Sequence, residues 1–266
     1  MRSAIYHGRE DIRVEEYPEP ETGPNDVKID VSACGICGSD LHEYAAGPIS
    51  IPDDEPHPVT GETLPLPMGH EFAGRVTEVG SNVSEIAVGD KVAANPVIWC
   101  GECRYCLEGE YGLCESNGFV GLSGWGGGFS EYTTVDRRQA VPIPESVPLE
   151  YGPLVEPFSV GLYAIRNSEF SPGDSVAVFG TGPIGLTVVQ LANAAGAGPI
   201  YAVEPRDFRR EIAAESGADV TLDPTAESAL DVINADTNGG VDVAFEVAGA
   251  SRLSTIRSPQ RERAAR

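Results

Sequence analysis

From about Ser171 the chain alternates continuous apolar runs with amphipathic stretches of helical length. Ser175-Val176-Ala177-Val178-Phe179 has no polar residue after its first position, as expected of a parallel strand buried on both faces. A helix is predicted over Pro183–Ala195, a strand over Ile200–Val203 and a helix over Arg206–Glu215. A strand near Val220, a helix over Ala226–Ala235 and a strand over Val241–Phe245 complete the series. Such alternation implies βαβ units and a doubly wound sheet. The segment before about Val160 reads differently, with short runs punctuated by Gly and Pro, such as Val27–Val31 and Phe72–Val79. That texture predicts a β-rich domain with long loops. The expected fold class is therefore β followed by α/β. A β-rich domain spans residues 1–160, a dinucleotide-type domain 161–251, and an atypical tail 252–266.

Between the first predicted strand of the second domain and its helix lies Gly180-Thr181-Gly182-Pro183-Ile184-Gly185, a G-x-G-x-x-G string. The first glycine permits the tight turn, the second lets the backbone approach a pyrophosphate, and the third lets helix pack on strand. Glu204 ends the next predicted strand, where a carboxylate accepts hydrogen bonds from a ribose 2′-hydroxyl and repels a 2′-phosphate. NAD is expected over NADP. Arg206, Arg209 and Arg210 oppose that expectation, since an arginine accepts the phosphate.

Charge narrows the partners. The 266 residues hold 41 acidic and 18 basic side chains, a net charge of −23, and the only lysines are Lys28 and Lys91. Such a surface repels nucleic acid and anionic lipid. It also suits concentrated salt, where self-repulsion is screened, so a halophilic setting is expected. The first residues are charged and no stretch is apolar enough to span a bilayer, which predicts a cytoplasmic protein.

Cys100, Cys103, Cys106 and Cys114 form C-x2-C-x2-C-x7-C, a spacing that lets one loop wrap a tetrahedral ion. Four thiolates close the shell of a zinc, so this knot is structural. Two disulfides are the alternative, disfavoured in a chain without marks of secretion. A second, open site is expected around Cys37, Ser39 and His42 in CGSDLH, His70 and Glu71 in GHE, and Glu156 in VEP. Zinc held by Cys37, His70 and one glutamate keeps a free position at which an alcohol oxygen is polarised. Taken singly, each of these is an ordinary core or loop residue, and Cys34 reads as packing.

These strings together resemble the medium-chain zinc-dependent alcohol dehydrogenase family: GICGSD-x-H, GHEFAG, the four-cysteine lobe, GGGFSEY at Gly126–Tyr132 and GTGPIG. The resemblance implies a GroES-like catalytic domain before a Rossmann domain, two zinc ions per chain and a homo-oligomer. Glu156 replaces a second cysteine ligand, and together with GPISIP, PHPVTGETLP and LVEPFSVGLYA this resembles the polyol and butanediol branch. Oxidation of a secondary alcohol or vicinal diol, such as 2,3-butanediol, is then expected. Sorbitol and threonine dehydrogenases share the metal strings. By the same resemblance Cys37 and His70 bind zinc, with Glu156 or Glu71 as the exchanging carboxylate. Ser39 takes the alcohol proton and passes it through the cofactor ribose toward His42, and Asp40 orients a ligand.

A complete dinucleotide fold has six strands, of which four are countable here. The last fifteen residues hold five arginines and one glutamate, a net of +4, and the family likeness is expected to stop near Ser251. A truncated or frame-shifted family member is the expectation, with a genuine basic tail as the alternative. A catalytically silent zinc-binding fragment is the competing reading to an active dehydrogenase.

Overall fold

A computed structural model describes residues 1–249. The basic segment 252–266 and the expected end of the likeness at Ser251 lie outside the described residues. The chain divides into two compact units, Met1–Glu156 and Pro157 onward.

The first unit is mostly β. Strands β1 (Arg2–Gly8), β2 (Asp11–Glu16), β3 (Asp26–Gly35), β4 (Leu66–Pro67), β5 (Glu71–Val79), β6 (Lys91–Ala94), β7 (Val97–Ile98), β8 (Gly118–Phe119), β9 (Tyr132–Asp136) and β10 (Ala140–Pro142) form three sheets. The largest has the order β10-β6-β5-β3-β9 and is antiparallel throughout. Its inward side chains, among them Val27, Ile29, Phe72, Val76, Val92 and Val135, form one apolar core. Both lysines are buried: Lys28 pairs with Glu19 and Glu78, and Lys91 with Glu145. Two short helices, α1 (Gly38–Ala46) and α2 (Arg104–Leu107), interrupt the strands. A 3-10 turn at Leu149–Leu154 packs on β5, where a Cβ on Gly152 would come within 2.4 Å of the Ala73 side chain. A longer helix, α3 (Val155–Arg166), follows it.

The second unit holds a parallel sheet of β11 (Val176–Phe179), β12 (Ile200–Val203), β13 (Val220–Leu222) and β14 (Val243–Glu246) in the order β13-β12-β11-β14. That is the 3-2-1-4 portion of a doubly wound sheet. The two-residue period of the strands sends alternate side chains to opposite faces. Val176, Val178, Ile200 and Ala202 meet Val188 and Val189 of α4 (Pro183–Ala194) and Ala213 of α5 (Asp207–Glu215). Ala177, Phe179, Tyr201 and Val203 meet Ala229 and Ile233 of α6 (Ala229–Thr237). Among the described residues β13 and β14 are the sheet's edges, and on β14 Ala244 and Glu246 are exposed.

In the second unit, two element starts shift from expectation by more than one residue. Helix α6 starts at Ala229 rather than Ala226, because the Asp223 carboxylate takes the Thr225 N–H and hydroxyl and holds a turn there. Ser228 then caps the helix by accepting the Asp231 N–H at 3.3 Å. Strand β14 starts at Val243 rather than Val241, because the Asp242 carboxylate accepts the N–H and hydroxyl of Ser175.

Candidate active site and metal centres

Strand pairing brings the first cluster together. Strands β3 and β5 are antiparallel with Gly35 opposite Glu71, so the residues just after β3 and just before β5 meet at one end of the sheet. Cys37 stands at the first of these points and His70 at the second. Donor atoms of Cys37, His70 and Glu71 all lie within 4.8 Å of one another. The close approach requires Gly35, where a Cβ would fall 2.2 Å from Glu71 Oε2. Gly69, at φ +95°, turns the chain into His70 where a side chain would strike Phe129.

Helix α1 begins immediately after Cys37, whose N–H donates to Asp40 Oδ2 at 2.8 Å. The other Asp40 oxygen lies 3.5 Å from His70 Nδ1, and both groups are nearly sealed, 3% and 4% exposed. Asp40 Oδ1 and His70 Nδ1 are both buried without a hydrogen-bond partner, so each relies on this ion pair. On the far edge of the ring, Nε2 lies 3.4 Å from Ser39 Oγ. Burial works against the imidazolium, yet hydrogen bonding and charge from Asp40 and Cys37 prevail and carry His70 up to about 10. The pocket therefore favours a positive charge at this ring, and a soft thiolate, an imidazole and a carboxylate form a donor set suited to zinc.

Sequence left the choice between two glutamates open. Among the described residues the donor cluster contains Glu71 and not Glu156. Glu156 is half-buried, carried toward the site by the 3-10 turn on β5. Burial raises its carboxyl above the usual range, His70 opposes that rise and Glu71 adds to it. It thus stands within electrostatic reach of the cluster without joining it. His42 is exposed on α1. Cys34 donates to the Gly35 carbonyl at 3.4 Å and is pushed up by burial, in keeping with packing. Sequence reasoning missed Phe119, whose ring meets His70 edge-on at 6.3 Å. It also missed buried Glu43, which accepts the N–H groups of Ile49 and Ser50 and so pins the loop after α1.

The four lobe cysteines are free of disulfides, and their sulfurs lie within 4.8 Å of one another. Cys106 Sγ is 3.6 Å from Cys103 Sγ and 3.9 Å from Cys100 Sγ. Sulfurs set about 2.3 Å from a tetrahedral ion stand about 3.8 Å apart, so the knot already has the spacing of a filled site. Backbone N–H groups point at the sulfurs, from Cys100 and Ser116 to Cys114 and from Cys103 to Cys100. N–H groups of Glu115 and Cys106 bring the Cys103 thiol down to about 6, whereas burial pushes Cys106 up to about 12. Holding all four as thiolates near neutral pH would require a cation between them.

In the second unit the turn from β11 to α4 lines a cleft of about 500 Å³, together with Glu204, Arg206 and Arg209. Gly180 has φ +92°, and a Cβ on Gly185 would lie 1.9 Å from the Gly180 carbonyl oxygen. Gly182 differs: the nearest atom to its would-be Cβ is Arg209 Nη1 at 3.8 Å. Its face is open toward the cleft at the N-terminus of α4, whose first residues are Pro183 and Ile184. Free N–H groups there suit a pyrophosphate. Glu204 is buried, accepting the N–H groups of Thr181 at 3.1 Å and Arg206 at 3.2 Å, with Arg209 Nη1 at 3.8 Å. The two glycines should part experimentally. Gly182→Val should weaken NADH binding about tenfold or more by fluorescence titration, with little thermal cost. Gly185→Ala should lower stability by about 1–3 kcal/mol, read by thermal unfolding.

Two family models match the chain: the alcohol dehydrogenase GroES-like domain over residues 23–145 and the zinc-binding dehydrogenase over 183–257. The (R,R)-butanediol dehydrogenase of Bacillus subtilis (strain 168) is 50% identical over 250 residues, spanning 94% of this chain and 71% of that protein. The chain belongs to the medium-chain zinc-dependent alcohol dehydrogenase family. The crystal structure of 2R,3R-butanediol dehydrogenase from Bacillus subtilis superposes with a TM-score of 0.89 at 49% identity, covering 95% of this chain and 72% of that one. An alcohol dehydrogenase from E. coli CFT073 complexed with NADH gives a TM-score of 0.82 at 31% identity, covering 94% and 70%. The first unit is thus the GroES-like domain and the second a Rossmann-type domain of an enzyme family that uses zinc and NAD(P). Among the described residues no helix is long and apolar enough to cross a membrane.

Proposed function

We propose that the chain oxidises vicinal diols, with (R,R)-2,3-butanediol to acetoin as the preferred reaction, and reduces NAD rather than NADP. The observation that carries this reading is the convergence of Cys37, His70 and Glu71 in a chain half identical to a butanediol dehydrogenase. Cys37, His70 and Glu71 would hold the catalytic zinc, with Glu156 as the nearby carboxylate able to exchange with Glu71. Cys100, Cys103, Cys106 and Cys114 would hold the structural one. When bound, the catalytic ion supplies a Lewis acid that polarises the alcohol oxygen and eases loss of its proton.

The chain's own residues do the rest. Asp40 Oδ1, 3.5 Å from His70 Nδ1, holds the imidazole by ion pairing and leaves Nε2 on the side of Ser39. Ser39 Oγ, beside that nitrogen, is placed to accept the alcohol proton, and exposed His42 on the same helix returns it to solvent. Phe119 packs edge-on against the ring. Glu204, fixed by two backbone N–H groups at the end of β12, favours a ribose hydroxyl over a 2′-phosphate.

The acidic surface and the burial of both lysines support work in a salt-rich cytoplasm. One experiment tests the assignment: NADH formation from each stereoisomer of 2,3-butanediol, at low and at molar potassium chloride. The reading expects the R,R isomer to be favoured, NAD to be used over NADP, and rates to rise with salt. Equal rates for all isomers, or a preference for sorbitol or threonine, would overturn the substrate assignment.

A further inference from the structure

The first unit contains a second cleft, of about 640 Å³, that shares no residue with the Cys37–His70 cluster or the cysteine lobe. Tyr17, Trp125 and Tyr132 wall it, and the carboxylates of Glu19, Asp26, Glu62 and Asp136 supply its charge. Its centrepiece is Trp125, 39% exposed and held at φ 58°, a backbone region that side-chain-bearing residues rarely occupy. Gly124 and Gly126 flank it at φ +114° and +78°, and its N–H donates to Glu62 Oε1 at 3.0 Å. A Cβ on Gly124 would come within 2.9 Å of Glu62 and Thr60, so the glycine-rich turn is built against the Glu62 carboxylate. Backbone strain that displays an exposed indole is commonly found at binding sites. The Thr133 hydroxyl, on a cleft-lining residue 1% exposed, has no partner in the fold.

The same unit already shows which chemistry these groups accept. Arg138 lies over the Trp99 ring at 4.9 Å while its guanidinium bonds the Asp136 carboxylate at 2.7 and 3.1 Å. Lys28 lies over Tyr132 at 5.6 Å and pairs with Glu19 and Glu78. The amino terminus is spoken for as well, donating to the Tyr17 carbonyl and pairing with Glu16. Among the described residues these pairs leave Trp125, Tyr17, Glu62 and Asp26 as an aromatic and acidic set without a cation of its own. We propose that this cleft binds a guanidinium-bearing small molecule, stacked on Trp125 and paired with Glu62. A planar guanidinium is favoured over an ammonium because it combines stacking on an indole with forked hydrogen bonds to a carboxylate. An anionic ligand would meet the unpaired carboxylates of Glu62 and Asp26. A negative charge at Glu62 also helps to hold the Tyr17 hydroxyl protonated, after burial.

Methylguanidinium and its neutral counterpart methylurea are the probes, titrated into the full chain at constant low ionic strength. Binding is read by tryptophan fluorescence and calorimetry. Saturable binding of methylguanidinium, at least tenfold tighter than methylurea, is expected. Glu62→Gln keeps the oxygen that receives the Trp125 N–H and removes the charge, and should weaken binding threefold or more. Trp125→Gly suits the positive φ, removes the stacking face and should weaken it similarly. Butanediol oxidation, measured alongside, should be unchanged in both variants, which separates this site from the catalytic one. Methylguanidinium binding no better than methylurea, or binding unchanged in both variants, would overturn the proposal.

Discussion

Replacing Cys37 with serine should remove one zinc per chain and lower diol oxidation about a thousandfold or more, since Lewis-acid stabilisation contributes several kcal/mol at 1.36 kcal/mol per decade. The thiolate is the only soft donor in the Cys37, His70 and Glu71 set, and a hydroxyl is a poor replacement for it. The fold should survive, because Cys37 is partly exposed at the start of α1 and belongs to neither core of the first unit. Metal analysis with thermal unfolding checks both halves. A parallel Glu156→Gln variant should keep both zincs, since that carboxylate lies outside the donor cluster. Loss of zinc on changing Glu156, with retention on changing Glu71, would reverse the ligand assignment.

The second large effect belongs to the cysteine lobe. Cys106→Ser should release the structural ion and lower the thermal midpoint by about 10 °C, as expected for a loss of roughly 3 kcal/mol or more in a unit of this size. Cys106 is buried, and its sulfur contacts those of Cys100 and Cys103. Without an ion, the remaining thiolates would repel one another, and Leu107, Tyr111 and Leu113, already exposed, would lose the knot that orders them. Cys34→Ser is the control: the same atom change, outside the lobe, should leave the zinc content at two. Differential scanning calorimetry and metal analysis of the two variants read the contrast. A Cys106→Ser midpoint equal to that of the wild type would show that the lobe does not depend on a metal.

How much of this could be read in the sequence depends on how local each signal is. The cysteine knot is local in sequence and space, so spacing alone pointed to it. The turn at Gly180–Gly185 was legible for the same reason, sitting between an apolar run and a helix. The second unit's strands stood out because burial on both faces makes them continuously apolar, as in Val176–Phe179. The start of α6 was misjudged because the carboxylate of Asp223 and the hydroxyl of Ser228 overrode the helical pattern of Ala226 and Glu227. In the first unit the short strands β4, β7 and β8 have two residues each, too few for any period to show.

The proposed catalytic cluster was legible in its residue types and not in its geometry. That Cys37 meets His70 follows from the register that sets Gly35 opposite Glu71, which no spacing rule supplies. That Glu71 and not Glu156 stands in the donor group follows from the same register, with Glu156 carried just past the 3-10 turn docked against β5. Phe119, in the GFVG string that precedes the glycine-rich turn, carried no signal of its own. Its place beside His70 is a product of tertiary packing.

The most direct test of the account is NADH formation from (R,R)-2,3-butanediol by the chain as it stands, before and after stripping with a chelator and on return of zinc. The account predicts turnover that disappears with the metal and returns with it, and that Cys37→Ser cannot be rescued. NADH formation unaffected by stripping, or no zinc-dependent turnover of any secondary alcohol, would contradict it.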